Sequence, residues 1–343
     1  MKYVIYRKNI SFKSGTGQLI GMQIDKLRIY KLDFSVYCKT GILNILFKKT
    51  VLAKKAKINK NKLHVSDRNS SFIIDHDASL TNADITFIHN IPVENNKNSD
   101  YFTWLKSSNC TIVANSNYTK KILIDNGYKE NNISIVYPGY NKETFNIESK
   151  RKHRTAARKI LGIKGNEKVI GFITSGDFEK RGLDYFLEIC EQLRHRHDVK
   201  FFIMGSKKIP DKFKSHKIIN SEQFIYKPKN STPDYWLSAM DIFLYPARFE
   251  EFGMVIPEAL SMGLPVITTR NVGASEILTK AFDDWLSDNI NISWFVERVS
   301  ALLDDDKLYQ TLSNQALSSL SYNDEDYATR TINLINQIAS HRD

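Results

Sequence analysis

Cysteine is scarce: the 343 residues contain three, Cys38, Cys110 and Cys190. An odd, widely scattered set gives no disulfide framework and none of the short spacings that hold zinc. A reducing compartment is its simplest setting. Long apolar runs are also missing. No stretch approaches the roughly 20 apolar residues a membrane span needs. At the start, Tyr3–Tyr6 is the only apolar run before Arg7 and Lys8, too short for the core of a secretory signal. A cytoplasmic protein is expected, with a peripheral place on the inner face of the cell membrane left open. No repeat of fixed period occurs, and no low-complexity tract beyond one lysine run. With 42% apolar and 25% charged residues, the composition is globular and excludes global disorder and fibrous architecture.

What is present in excess is positive charge, and only in one half. The formal net charge is +11. Residues 1–150 hold 23 Lys/Arg against 12 Asp/Glu, while residues 151–343 hold 26 of each. So one-sided a field points to an anionic partner for the first half. Seven lysines, Lys48, Lys49, Lys54, Lys55, Lys57, Lys60 and Lys62, fall within fifteen residues, interleaved with Val51, Leu52 and Ile58. A basic amphipathic segment of this kind suits an anionic membrane surface; the alternative is a solvated helix face. No nucleic-acid-binding module accompanies it, so nucleic acid is not expected as a partner.

Short apolar runs alternate with helical patterns along the whole chain. In the first half Tyr3–Tyr6 is followed by Ser14-Gly15-Thr16-Gly17 and a helical spacing through Ile20, Ile24 and Leu27. Strands are expected at Phe72–Ile74, Ile85–Ile88, Thr111–Ala114 and Ile133–Val136, and a helix over Ser116–Asn126. The basic stretch Lys150–Arg154 marks a domain boundary near residue 148. The alternation then restarts, with strands at Val169–Thr174, Lys200–Met204, Ile242–Tyr245 and Val266–Thr268, separated by helices at Gly182–Arg194, Pro233–Met240 and Pro257–Met262. This pattern predicts two α/β domains with parallel sheets, 1–148 and 149–323.

The most informative stretch is Pro246–Val266. Glu250 sits in the loop after a strand, and Glu258 eight positions later in the first turn of the next helix. Phe252, Gly253 and Met254 lead into that helix N-terminus, where free amides and the helix dipole favour an anion. Gly263 and Pro265 end the helix. A lone Glu at a helix start only complements the dipole. A second Glu beside a glycine that lets a ligand approach the backbone calls for more.

Here the sequence resembles the family 4 retaining glycosyltransferases of the GT-B fold, whose signature is a Glu-x7-Glu line. Glu250, Phe252, Gly253, Glu258, Ala259, Gly263, Pro265 and Val266 stand in register with it, and Asn271–Glu276 resembles the loop that follows. The resemblance implies two Rossmann-like domains with parallel sheets facing a central cleft. It also implies a last helix, residues 324–343, that returns to the first domain. It implies a nucleotide-sugar donor, such as a UDP-sugar, in the second domain and a glycan or lipid-linked acceptor in the first. Glu250 would contact the donor sugar and Glu258 the ribose hydroxyls, both through charge-assisted hydrogen bonds.

A second motif, Gly171–Asp184, follows a strand and opens a helix. Ser175 and Gly176 lie in its loop, with Lys180 and Arg181 before Gly182. A departing nucleoside diphosphate is a polyanion, and Lys180 and Arg181 are placed to offset its charge without a metal. Many family members carry an Arg at the position of Gly176. The adjacent cations here are more similar to lipopolysaccharide-core glucosyltransferases. In the first half the resemblance assigns Gly15, Thr16 and Gly17 to the donor phosphate, and His89, at a strand end, to the sugar near the reacting centre. Asp75-His76-Asp77 imitates the metal site of the other glycosyltransferase fold, GT-A; the Glu-x7-Glu line favours GT-B, and no metal or other cofactor is expected. The implied activity is metal-independent, retaining hexosyl transfer in cell-surface polysaccharide or lipopolysaccharide synthesis. A nucleotide-sugar epimerase or phosphorylase of the same fold, or a non-catalytic sugar-nucleotide-binding protein, are the alternatives.

Overall fold

The computed structural model describes residues 1–11, 14–39, 42–46, 49–91, 105, 110–174, 176–230, 232–320 and 322–341. Contacts divide the chain into one unit of Met1–Gly139 plus Asp324–Asp343 and a second of Tyr140–Asn323. The expected boundary near residue 148 falls instead inside a helix. Where the chain enters and leaves the second unit, Tyr140 and Asn323 form a parallel bridge.

The first unit opens with β1 (Lys2–Tyr6) and α1 (Gly15–Ile29). The glycine turn is the cap and first turn of that helix: Ser14 has extended backbone, and its Oγ accepts from the Gly17 amide at 3.2 Å. There follow β2 (Phe34–Cys38), β3 (Ile42–Leu46), β4 (Lys49–Lys55), β5 (Ile58–Asn59) and β6 (Lys62–Leu63). Then come β7 (Ser71–Asp75), β8 (Ile85–Phe87), β9 (Thr111–Ala114), α2 (Asn117–Asp125) and β10 (Ile133–Ile135). The eight-stranded sheet has the order β10-β9-β8-β7-β1-β2-β4-β3. Every pair is parallel except β3 with β4. Val4, Ile5 and Tyr6 are buried because β1 is central and covered on both faces.

The lysine run does not form a helix. Backbone pairing puts residues 42–46 and 49–55 into an antiparallel strand pair at the sheet edge, with β5 and β6 as a small hairpin beyond. Lys48 lies outside the described residues. Lys54, Lys55, Lys57, Lys60 and Lys62 are exposed. Period-two alternation sends Lys54 and Lys55 to opposite faces, so the charge forms a rim and no single amphipathic face.

The second unit contains α3 (Ile147–Ile160), β11 (Lys168–Ile173), α4 (Leu183–Gln192), β12 (Val199–Gly205), β13 (Phe224–Pro228) and α5 (Pro233–Leu237). It continues with β14 (Ile242–Tyr245), α6 (Val255–Ser261), β15 (Val266–Thr269), β16 (Leu286–Ser287), α7 (Ile292–Asp304) and α8 (Asp306–Ser318). Its sheet is wholly parallel, in the order β13-β12-β11-β14-β15-β16. This is the Rossmann order, whose winding reverses between β11 and β14. Asp241, at the foot of β14, ties the layers together: its carboxylate accepts from Arg154 at 2.6 Å, Arg158 at 3.2 Å and the Val169 amide at 2.8 Å.

The last helix, α9 (Asp324–Ser340), packs against α1 and completes the first unit. Tyr3 donates across to Asn336 at 2.7 Å, and Ile332 and Ile335 are fully buried. Each unit is thus a doubly wound, parallel α/β body, the two Rossmann-like domains of the GT-B architecture.

Candidate functional site

In an open parallel sheet, ligands sit beyond the carboxyl ends of the strands where the winding reverses. In the second unit that point lies between β11 and β14, and the two charged motifs grow from those two strands. The β11 loop delivers Lys180 and Arg181, and the β14 loop delivers Glu250 and Glu251.

The structure brings these side chains together in pairs. Arg181 grips Glu250 through two parallel bonds, Nε to Oε2 at 2.5 Å and Nη2 to Oε1 at 2.8 Å. The Tyr245 hydroxyl, at the end of β14, donates to Glu250 Oε2 at 3.2 Å. Beside them Lys180 Nζ reaches both oxygens of Glu251, at 2.6 and 2.7 Å, and lies 4.0 Å from the centre of the Phe249 ring. A planar guanidinium and a point-like ammonium therefore each have a carboxylate of their own. The two cations at a helix start, disfavoured by its dipole, are held there by two adjacent acids.

Electrostatics follow burial. Desolvation pushes the Glu250 carboxyl up, against the pull of Arg181. Desolvation also pulls Lys180 down, against Glu251. Burial works against the Arg181 charge too, but Tyr245, Glu250 and Glu251 outweigh it and hold the guanidinium above its ordinary value. The Tyr245 hydroxyl lies within hydrogen-bonding reach of Arg181 as well as of Glu250, so the guanidinium is held from two sides.

Three glycines shape this loop system. Gly182 adopts φ +75°, and a Cβ there would lie 1.9 Å from the Pro246 carbonyl oxygen, so only glycine lets the β11 turn meet the β14 loop. Gly253 adopts φ +89° against Val272. Gly176 is exposed, and a Cβ at that position would stand 3.3 Å from the Arg181 guanidinium carbon. A side chain at position 176 would press on the Arg181 guanidinium.

The Asn271–Glu276 loop zips onto the acidic loop. The Glu250 amide donates to the Asn271 carbonyl at 3.0 Å, and the Gly273 and Ala274 amides donate back to the Glu250 and Phe252 carbonyls at 3.0 and 2.7 Å. Phe252 is buried, Gly253 and Met254 lead into α6, and Glu258 lies buried in its first turn. Burial first, and Asp234 second, push the Glu258 carboxyl up to about 8. Ser175 lies outside the described residues.

The remaining expected residues belong to the first unit. Gly15, Thr16 and Gly17 form the first turn of α1. His89 follows β8, half-buried, with its Nε2 2.9 Å from Nδ1 of His76. The Asp-x-Asp lookalike is structural: Asp75 accepts from the amides of Asp77, Ser79 and Leu80 at 2.9, 2.6 and 2.7 Å, and Asp77 pairs with Arg7 at 3.8 Å. Among the described residues no group of three or more His, Cys, Asp or Glu is arranged to hold a metal ion.

Sequence reasoning missed Glu251, Tyr245 and His76. Glu251 carried a signal: two neighbouring cations in one motif and two neighbouring acids in the other are a natural complement. Tyr245 looked like an ordinary strand residue.

Comparison with known proteins bears on the fold. Residues 153–318 match the family described as Glycosyl transferases group 1. The uncharacterized glycosyltransferase MJ1607 of Methanocaldococcus jannaschii is 25% identical over 218 residues, covering 60% of this chain and 54% of that protein. The lipopolysaccharide glucosyltransferase WaaG of Escherichia coli is 30% identical over 152 residues, 43% of this chain and 40% of that one. The chain spans about half the length of the curated relatives it matches. A crystal structure of WaaG superposes with a TM-score of 0.78 at 15% identity, covering 97% of this chain and 99% of that one. Anabaena HepE, solved in complex with UDP, gives 0.74 at 13% identity over 98% and 100%. The fold is that of the GT-B glycosyltransferases.

Proposed function

We propose that this protein is a retaining glycosyltransferase that moves a hexose from a nucleotide sugar, a UDP-sugar by preference, to a glycan or lipid-linked acceptor in cell-surface polysaccharide synthesis. One observation carries the reading: the Arg181–Glu250 pair sits at the carboxyl ends of β11 and β14, where the second sheet reverses its winding. Arg181 offers its charge to the diphosphate while Glu250 accepts from a sugar hydroxyl. Glu258 takes the ribose hydroxyls. Lys180, held by Glu251, adds positive potential beside Arg181. The uridine nucleotide bound by HepE and the lipopolysaccharide role of WaaG support the donor and the pathway class.

No side chain is placed as a covalent nucleophile in this scheme. The leaving phosphate takes the acceptor proton on the face it departs from, and the protein contributes orientation, water exclusion and charge stabilisation. Positive charge from Arg181, together with the α6 amides, replaces a divalent ion, so transfer is metal-independent. The lysine rim at residues 54–62 would hold the first unit to anionic lipid, each cation near the surface contributing about 1 kcal/mol.

The direct test is incubation with UDP-glucose and a lipid-linked glycan, with product configuration read by NMR. An α product from the α donor supports the assignment. Arg181→Ala should lower kcat by roughly a hundredfold or more while the fold persists; full activity in that variant would remove Arg181 from the site.

A further inference from the structure

The first unit has its own winding reversal, between β1 and β7, and a chain of buried polar side chains converges there. The Asp75 carboxylate fixes the loop after β7 and leaves His76 pointing along the strand ends. His76 stacks on Phe87 with ring centres 4.8 Å apart and on His89 at 5.2 Å. Its Nδ1 lies 2.9 Å from His89 Nε2, and its Nε2 lies 3.0 Å from Gln23 Oε1. Gln23, on α1, donates its Nε2 to the Tyr327 hydroxyl on α9 at 2.8 Å. Gln23, His76 and Tyr327 are all but sealed from solvent, with exposures of 0%, 3% and 1%, whereas His89 keeps an open edge.

The protons in such a chain cannot be placed independently. With the Gln23 amide nitrogen committed to Tyr327, its carbonyl oxygen faces His76, and a carbonyl only accepts. His76 Nε2 must then carry a hydrogen. A neutral imidazole has one N–H, so His76 Nδ1 is a bare lone pair, and His89 Nε2 must donate to it. The same rule leaves His89 Nδ1 bare. It has no partner among the described residues.

We propose that Gln23 and His76 are positioning residues that hold His89 as its Nε2–H tautomer, so that Nδ1 is presented at the strand ends as a hydrogen-bond acceptor for a substrate hydroxyl. α9 joins the chain of contacts at its far end through Tyr327, whose hydroxyl accepts from Gln23 Nε2. The pair stays neutral because burial disfavours an imidazolium and Arg7 adds a cation beside it. The other charged or titratable groups near the pair are Asp75, committed to three amides, Asp77, paired with Arg7, and Tyr6, whose carbonyl accepts from the His76 amide. Phe87 supplies an apolar face. The functional half of this inference rests on the transferase reading above; the tautomer does not.

The test is long-range 1H–15N NMR on the full chain with 15N-histidine, His89 being assigned through His89→Gln. Both rings should show a pyrrole-type Nε2 and a pyridine-type Nδ1, unchanged from about pH 5 to 8. A pyrrole-type Nδ1 on His89 corresponds to the opposite amide orientation and overturns the proposal, as does an imidazolium in that range. Gln23→Glu then places a carboxylate on His76 Nε2 in nearly the same volume. It should bring a His89 protonation into the measurable range, seen by NMR, and below that midpoint kcat/KM should fall about tenfold per pH unit while the UDP affinity holds. An NMR titration with no matching step in kcat/KM overturns the positioning role. If the parent protein transfers no sugar at all, the transferase reading fails while the tautomer result stands by itself.

Discussion

The Lys180–Glu251 pair makes a quantitative test of how the second unit holds its charges. The side chains are 7% and 1% exposed, and Lys180 Nζ meets both carboxylate oxygens. Glu251→Gln removes the negative charge at nearly constant volume and leaves Lys180 one neutral amide oxygen and the face of Phe249. Breaking a buried pair from one side costs about 3–5 kcal/mol. In a unit of this size each kcal/mol moves the melting temperature by about 2–4 °C, so a drop of roughly 6–20 °C is expected. Replacing both partners by apolar residues, Lys180→Met with Glu251→Leu, should be neutral or stabilising, because the desolvation cost disappears with the charges. pH adds a sign. Burial already pulls Lys180 below its ordinary value of 10.5, and losing Glu251 lowers it further. The variant's deficit is therefore full at neutral pH and shrinks as pH rises towards that value, where the unfolded chain loses the same proton. Calorimetry with urea unfolding followed by tryptophan fluorescence reports on this unit, which holds Trp236, Trp285 and Trp294. A Glu251→Gln variant within about 0.5 kcal/mol of the parent, or a double variant as damaged as the single, would refute the reasoning.

Three further outcomes are expected. Glu258, raised from 4.5 to about 8, is neutral at pH 7 in the free protein, and its contribution to stability declines as pH rises between those values. A nucleotide whose ribose needs the ionised form should release a proton on binding below about pH 8; calorimetric heats that do not differ between buffers of unequal ionisation enthalpy would contradict this. Gly182→Ala should destabilise the second unit by several kcal/mol in urea unfolding, since its Cβ would overlap the Pro246 carbonyl. Neutralising Lys54, Lys55, Lys57, Lys60 and Lys62 should abolish flotation with anionic liposomes; unchanged flotation would remove the lipid contact.

Strand–helix alternation was readable in the second half because β11, β12 and β14 are central strands buried on both faces, written as unbroken apolar runs such as Ile242–Tyr245. The first half hid more. β2, Phe34–Cys38, is only partly buried and is no longer than many loop segments, and the strand pair around the lysines carries too many cations to resemble a sheet. Glu250 and Glu258 stood out through their spacing in a known pattern. Their supporting contacts did not, because no local periodicity links Lys180 to Glu251, 71 positions on, or Gln23 to Tyr327, 304 positions on. Such pairs exist only once the winding of each sheet has brought distant strand ends and helices side by side.

The bridge between Tyr140 and Asn323 also orders events at the ribosome. The second unit is an insertion whose two ends meet, and every residue it needs has been synthesised before α9 emerges. The first unit waits for those last residues to close over α1. The inserted body thus has its full sequence available for folding before its host has all the helices it packs with.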